Sequence, residues 1–400
     1  MSTNPLLDLD ATSTDFYARD DYHEVLRALR DEAPVHEFAS GLRTIARYED
    51  IREISRSPER FKSGGGALVH DPIRQGAIRD GASLSILFID PPEHLEHRKL
   101  VNREFTPRAV GGMEARIREL VREIFDRVDA RASEPLDVVE HLTAPFPLLV
   151  IAELLGIPDG DRGDFRRWSD ATIESTDRPP GENLEAILEM RAFLLDHIEA
   201  KRTEPGEDLV SMLAGRELHG QPLTGDEMFA WLLTLLVAGN ETTRTLLSGA
   251  IVALHDHPEQ RARLAAELDL VPNAMEESLR WVTPIQTFCR TVVADTEVGG
   301  NAVREGDYLI MMYASGNRDE RAYGPRADEF DVTREVNPAH LAFGFGEHLC
   351  LGAALARLEA RVFFEELLDR YPAYEVVGPP ARVPSTLVAG IHSLPVVLAP

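Results

Sequence analysis

Cysteine is almost absent from this chain: 400 residues hold two, Cys289 and Cys350. A fold of that length cannot rest on a single bridge. A disulfide scaffold is therefore excluded, and a reducing compartment, the cytoplasm, is expected. A zinc centre would ask for further Cys or His at short spacing, and near Cys350 only His348 answers. Lysine is as scarce, with Lys62, Lys99 and Lys201 alone. With 42 basic against 68 acidic residues the formal net charge is −26. Such a field repels nucleic acid and anionic membranes, and neither is expected as a partner. No apolar run is long enough for a bilayer: the best, residues 228–239, is short and contains Thr234. Residues 1–15 show neither the basic flank nor the apolar core of a signal peptide. Gly/Ser-rich linkers, low-complexity tracts and repeats are missing too. Their absence predicts a single domain over residues 1–400, with a flexible segment at 1–20.

What is present is helical periodicity. Apolar residues recur at helical spacing over 22–31, 49–55, 92–102, 107–132, 138–155, 182–201, 225–255, 258–268, 272–281 and 351–368. Shorter runs predict strands at 44–46, 288–293, 296–298, 307–312, 374–377 and 394–398. The two kinds interleave without regular alternation. This disfavours a parallel doubly wound sheet and predicts a mainly α fold with small β-sheets.

The densest chemistry lies in Phe343-Gly344-Phe345-Gly346-Glu347-His348-Leu349-Cys350-Leu351-Gly352. Leu351, Leu355, Leu358 and Val362 fall on one helical face, so Cys350 sits at or just before a helix N-terminus. Unpaired N–H groups there favour a thiolate over a thiol. Gly344, Gly346 and Gly352 leave no side chain to block a flat ligand approaching the sulfur. A thiolate at the bottom of such a loop suits the axial position of a haem iron.

Thr224-Gly225-Asp226-Glu227 has capping-box spacing and opens a helix of roughly 45 Å at ~1.5 Å per residue. Mid-helix lies Ala238-Gly239-Asn240-Glu241-Thr242-Thr243. Thr242 can bond the carbonyl of Ala238, four residues back, and open a notch beside two small residues. Glu277-Ser278-Leu279-Arg280 places both charges on one side of a helix. His94 and Arg98 likewise share a face. Against the acidic trend, residues 98–122 hold Arg98, Lys99, Arg103, Arg108, Arg116, Arg118 and Arg122 beside only Glu104, Glu114 and Glu119. This is either a solvated helix face or a docking patch for an acidic partner.

The cysteine loop resembles the haem-ligand loop of the cytochrome P-450 family, Phe-x-x-Gly-x-x-x-Cys-x-Gly. Phe343, Gly346, Cys350 and Gly352 fill that pattern, and His348 matches its bacterial form. The resemblance runs from about residue 22 to the C-terminus. It implies haem b between the long central helix and the cysteine loop, with Cys350 as the only protein ligand to iron. It implies Phe343, Gly344, Gly352 and Ala238 against the haem, and His94, Arg98, Arg290 and His348 at its propionates. Glu241 and Thr242 take the acid–alcohol positions of oxygen activation. Glu277 and Arg280 match the Glu-x-x-Arg helix, with Arg334 as a third member. An apolar substrate pocket is implied at Leu84, Ile86, Leu87, Leu235, Ala238, Val282, Ile285 and Ile391.

The expected activity is monooxygenation by O₂ of a lipophilic small molecule such as a steroid, terpenoid, fatty acyl chain or macrocycle. The expected electron source is NAD(P)H through ferredoxin reductase and ferredoxin, with the chain acting as a monomer. Two alternatives stand beside it: a haem sensor or carrier without turnover, and a peroxide-driven enzyme of the same fold.

Overall fold

The structure, a computed structural model, describes residues 10–71, 73, 74, 85–174 and 183–399. Helices form where the apolar period is longest. The central one, Gly225–Asp256, is 32 residues long and opens on the expected capping box. Thr224 Oγ1 accepts from Glu227 N–H at 3.2 Å, and Glu227 Oε2 accepts from Thr224 N–H at 2.7 Å. Met228, Leu232, Leu236, Leu247, Ile251 and Leu254 are buried along it. It packs against the helices Pro145–Leu154, Leu184–Thr203, Val271–Val282 and Ala353–Arg370. An amphipathic helix buries one stripe; this one is buried on most sides and forms the axis of the largest apolar cluster.

The expected helix at 107–132 is broken into Pro107–Gly111 and Glu114–Asp126. Gly111 and Gly112 interrupt it, since each raises the entropy cost of helix continuation. The expected helix at 138–155 begins as a π-helical turn, Val139–Thr143, before Pro145–Leu154. Pro145 has no N–H for the usual bond, and Ala144 N–H reaches back to Val139 O at 3.0 Å. The helix Arg162–Glu174 has no counterpart in the sequence reading. Phe165 and Trp168 are its apolar anchors in the core, too few to register as a period.

Five strands form the main sheet, in the order Val35–Glu37, Arg43–Ile45, Tyr308–Met312, Thr287–Val292, Phe61–Lys62. Tyr308–Met312 is buried at every position. Its register sets Leu309 opposite Arg290 and Ile310 opposite Cys289. Arg290 is thereby held by a strand covered on both sides. The N-terminal segment, expected to be flexible to residue 20, is packed in its described part. Phe16 and Tyr17 of the helix Thr14–Tyr17 are buried, and Tyr17 Oη donates to Ala11 O at 2.9 Å.

Candidate active site

The cysteine loop is tied down at each end. Cys350 N–H donates to Phe343 O at 2.8 Å, and Gly344 N–H to Leu341 O at 2.8 Å. Gly344 and Gly346 both adopt left-handed backbone, φ 68° and 69°. At Gly346 the need for glycine is also steric: a Cβ would lie 2.0 Å from Ser55 O. Phe345 is clamped between the guanidinium groups of Arg52 and Arg56, each 4.7 Å from the ring centre. Phe343 carries Arg357 at 4.5 Å. Glu276 draws the loop and its helix together, contacting Arg357 at 2.6 Å and His340 at 3.3 Å. Despite desolvation, these two partners hold its carboxyl down to about 2. Sequence reading passed over Glu276 because its partners lie 64 or more positions away.

The helix Ala353–Arg370 starts just beyond Cys350, with Gly352 as N-cap. A Cβ on Gly352 would meet nothing within 4 Å. The residue Cys350 is exposed by surface area, yet its thiol is shielded from bulk water. The two agree for a side chain facing an interior cleft. Desolvation raises the thiol pKa and outweighs the lowering by Gly352 N–H, Arg98 and Arg357. The expected thiolate preference at the helix end is therefore overturned for the free side chain. A metal cation at the sulfur would reverse it, since a coordinating thiol is deprotonated outright.

Three separate segments bring two arginines and two histidines together at this loop. His94 and Arg98 come from the helix Glu93–Lys99, Arg290 from the main sheet, and His348 from the loop itself. The His94 and His348 rings lie 4.3 Å apart. Desolvation, then Arg98 among other charges, pushes His94 down to about 4; desolvation, then Arg290, pushes His348 down to about 3. Arg98 Nη1 donates to Glu347 O at 3.1 Å, Arg290 Nη1 to Cys289 O at 2.7 Å, and His348 Nε2 meets Ser63 Oγ at 3.2 Å. His94 Nδ1 is buried without a hydrogen-bond partner among the described residues. Among the described residues neither Arg98 nor Arg290 has a carboxylate within ion-pair distance. A half-buried and a buried guanidinium without counter-charges fit a group bearing carboxylates. Together with the accessible sulfur, they fit haem and its propionates.

On the central helix, Thr242 Oγ1 donates to Ala238 O at 2.7 Å, the back-bond anticipated from its spacing. Ala238 is exposed and Leu235 and Thr242 half-buried, while Leu236, Asn240 and Glu241 between them are buried. Glu241 lies against Arg244 at 3.3 Å, a partner that sequence reading missed although the i,i+3 spacing repeats that of Glu277 and Arg280.

Glu277 and Arg280 have no exposed side-chain surface and meet at 2.7 Å through two parallel bonds. Arg280 also donates to Asn317 O, Ala327 O and Glu329 O. Arg334 Nε reaches Glu277 Oε1 at 3.2 Å and its Nη2 bonds Arg326 O and Glu329 O. The three expected members are therefore in contact.

The pocket residues divide. Leu84 lies outside the described residues. Ile86 and Leu87 form a half-buried 3₁₀ turn whose cap, Ser85, accepts from Thr234 Oγ1 of the central helix at 3.1 Å. Val282 is a correction: its methyls pack on Gly249, where a Cβ would lie 2.6 Å from Val282 Cγ1. Seven residues beyond Thr242 is ~10 Å along the helix, so Val282 joins two helices instead of lining the notch. Ile391, only 3% exposed, belongs to the apolar core. Ile285 is bridged to Val388 and packs beside the sheet. The basic stretch is likewise largely self-neutralised: Arg116 pairs with Glu153, and Arg118 and Arg122 with Glu366.

Comparison with known proteins agrees with this geometry. The family model for cytochrome P-450 matches residues 184–386. Linalool 8-monooxygenase of Pseudomonas putida is 35% identical, over 98% of this chain and 99% of its own. A steroid C26-monooxygenase of Mycobacterium tuberculosis is 35% identical over 98% of each. A solved cytochrome P-450 of Mycobacterium marinum, in complex with pseudoionone, superposes with a TM-score of 0.88 at 35% identity, covering 99% of this chain and 100% of that one. A cysteine loop, a cationic cradle and a notched central helix held in this fold, with relatives alike over their whole length, mark the chain as a bacterial-type member of the cytochrome P-450 monooxygenases, enzymes of haem b and O₂.

Proposed function

We propose that this monooxygenase hydroxylates or epoxidises a lipophilic small molecule of terpenoid, steroid, fatty acyl or macrocyclic type. Its electrons would come from NAD(P)H by way of ferredoxin reductase and ferredoxin. One observation carries the reading: Ala238 is the one exposed residue between Glu227 and His255 of the central helix, and half-buried Leu235 and Thr242 flank it on the same face, which is apolar and ends in a hydroxyl. The relatives' names, linalool and steroid monooxygenases, support a substrate of that character. Among the described residues no helix is long and apolar enough to cross a membrane.

Bound through Cys350, haem supplies the iron at which O₂ is activated. The chain does the rest. Arg98 and Arg290 would neutralise the propionates, and His94 and His348 would orient them by hydrogen bonds. Ile86, Leu87 and Leu235 hold the substrate by apolar contact and exclude water. Thr242 spends its own proton on Ala238 O, so its oxygen is free to accept from a water beside it. Glu241 passes protons from solvent to that water.

Electron delivery would use the face beside the cysteine helix. The helix Pro107–Gly111 packs there, Leu349 is 46% exposed, and Arg103 and Arg108 have no ion pair among the described residues.

Two sets of variants test the assignment. Positioned proton transfer contributes about 10²–10⁴-fold, so Glu241→Gln should slow O₂-dependent turnover at least about tenfold with substrate affinity unchanged. Thr242→Ala should lower product formed per NADPH and release the balance as hydrogen peroxide. Wild-type rate and coupling in both would remove Glu241 and Thr242 from proton delivery, whereas no product from the unaltered protein with redox partners would favour a haem carrier or sensor. Faster turnover with hydrogen peroxide than with redox partners would favour the peroxide-driven alternative. Arg290→Leu removes a charge-assisted bond worth about 1.5–3 kcal/mol, and haem loss to an acceptor globin should quicken about tenfold or more. Unaltered haem loss would remove Arg290 from the propionate set.

A further inference from the structure

We infer that Ser85 is a specificity-determining residue: its hydroxyl donates a hydrogen bond to a carbonyl or ether oxygen at the end of the substrate remote from the oxidised carbon. The substrate is thereby an elongated lipophile that carries such an oxygen. The inference rests on the reading that the face at Leu235, Ala238 and Thr242 holds the substrate.

The local chain fixes this hydroxyl. Ser85 caps the 3₁₀ turn Ile86–Phe88, and its carbonyl accepts from Phe88 N–H at 3.0 Å. Just beyond that turn, the Asp90 carboxylate accepts from the N–H groups of Ser63 and Gly64 at 2.8 and 3.0 Å. On the central helix, Thr234 Oγ1 directs its single proton at Ala230 O, 2.7 Å away, and at Ser85 Oγ, 3.1 Å away. Leu87 N–H points at the same serine oxygen from 3.4 Å. A serine hydroxyl has two lone pairs and one proton. Both lone pairs of Ser85 are faced by donors, and its proton has no acceptor among the described residues. What this group can offer a ligand is a donor.

Its place relative to the chemistry follows from the helix. At about 100° per residue, Thr234, Ala238, Thr242 and Leu235 fall within one stripe roughly 100° wide. Thr234 and Thr242 end that stripe, about 12 Å apart along the axis. Between them the helix presents Leu235 and Ala238, and beside Ser85 stand Ile86 and Leu87, none of them fully buried. Ser85 and Thr234 are themselves half-buried. In an apolar pocket a few polar groups set the orientation of the ligand. An unpaired donor there rewards an acceptor and penalises a hydrocarbon that covers it. A molecule oxidised near Thr242 therefore reaches this donor with an oxygen roughly 12 Å away.

The test is a double-mutant cycle between protein and ligand, on holoprotein without redox partners. Two matched pairs serve as probes: methyl decanoate with dodecane, and an A-ring androstanone with androstane. Binding is read from the haem difference spectrum. Ser85→Ala should weaken the carbonyl member of at least one pair about fivefold to tenfold and leave its hydrocarbon within about twofold. Ser85→Thr, which keeps the hydroxyl, should bind as the wild type does. If Ser85→Ala does not retain haem, Ser85→Gly, a comparable cap without a hydroxyl, takes its place with the same expectations. In turnover, Ser85→Ala should spread oxidation of methyl decanoate over more carbons of its chain.

Equal weakening of carbonyl and hydrocarbon would make Ser85 a structural tie and overturn the inference. Unaltered binding of every probe would overturn it too, as would failure of both carbonyl probes to bind the wild type. Failure of the underlying reading shows separately, as probe binding that Ala238→Phe, which would fill that face, leaves unchanged.

Discussion

Replacing Cys350 by Ser should abolish the red-shifted ferrous–carbonyl Soret band that thiolate-ligated haem proteins give. A serine oxygen is a hard and far less acidic donor, and it lacks the polarisable lone pairs with which a thiolate pushes density onto iron. The neighbourhood does nothing to compensate. Burial already raises the thiol's pKa, and Gly352 N–H, Arg98 and Arg357 oppose this only in part; burial would penalise an alkoxide more. Cys289→Ser is the matched control. Its sulfur is fully buried within a sheet strand, and burial pushes its pKa up to about 12. That variant should keep the band. A Cys350→Ser protein with an unaltered band would overturn the assignment of the iron ligand.

Glu277→Ala and Arg280→Ala should each leave little haem-bearing protein. All five guanidinium donors of Arg280 are used, two on Glu277 and three on backbone carbonyls of distant turns. Glu277 also accepts from Asp331 N–H and Arg334. Removing either partner strands a buried charge, at about 3–5 kcal/mol. That is a large fraction of the roughly 5–15 kcal/mol that keeps a typical domain folded. Haem content per chain and thermal melting report the loss. A variant with full haem and wild-type melting would show that the pair carries no weight in the fold. The contrast with Glu241 is instructive: Glu241→Gln should melt near the wild type, because its contact with Arg244 is longer and less enclosed.

Much of this site was legible in the chain because its chemistry is local. The cysteine loop, the capping box at Thr224, the back-bond of Thr242 to Ala238 and the Glu277–Arg280 pair each depend on residues within ten positions of one another. Turn and helix geometry then determine the contact. The central helix was legible for the same reason, as a 3.6-residue period sustained over eight turns between a capping box and Pro258.

What needed the tertiary structure is whatever couples distant segments or depends on depth. Helix spacing shows that His94 and Arg98 share a face, but only the folded chain brings Arg290 from a sheet strand and His348 from the loop beside them. Spacing placed Cys350 near a helix end and argued for a thiolate. Depth within the protein decided the sign, since desolvation exceeds what one N–H and two guanidinium groups return. The basic run at 98–122 read either as a solvated helix face or as a docking patch, and folding set Glu153 and Glu366 against its Arg116, Arg118 and Arg122. Val282 fitted an apolar lining by residue type, and its contact with Gly249 assigned it to helix packing. Sequence by itself therefore determined which local geometries and which chemical groups this protein possesses, because backbone periodicity and capping act over a few residues. Only the tertiary structure decided which of those groups meet and how strongly each is charged, because Coulomb interaction and desolvation depend on distance and depth in space and not on separation along the chain.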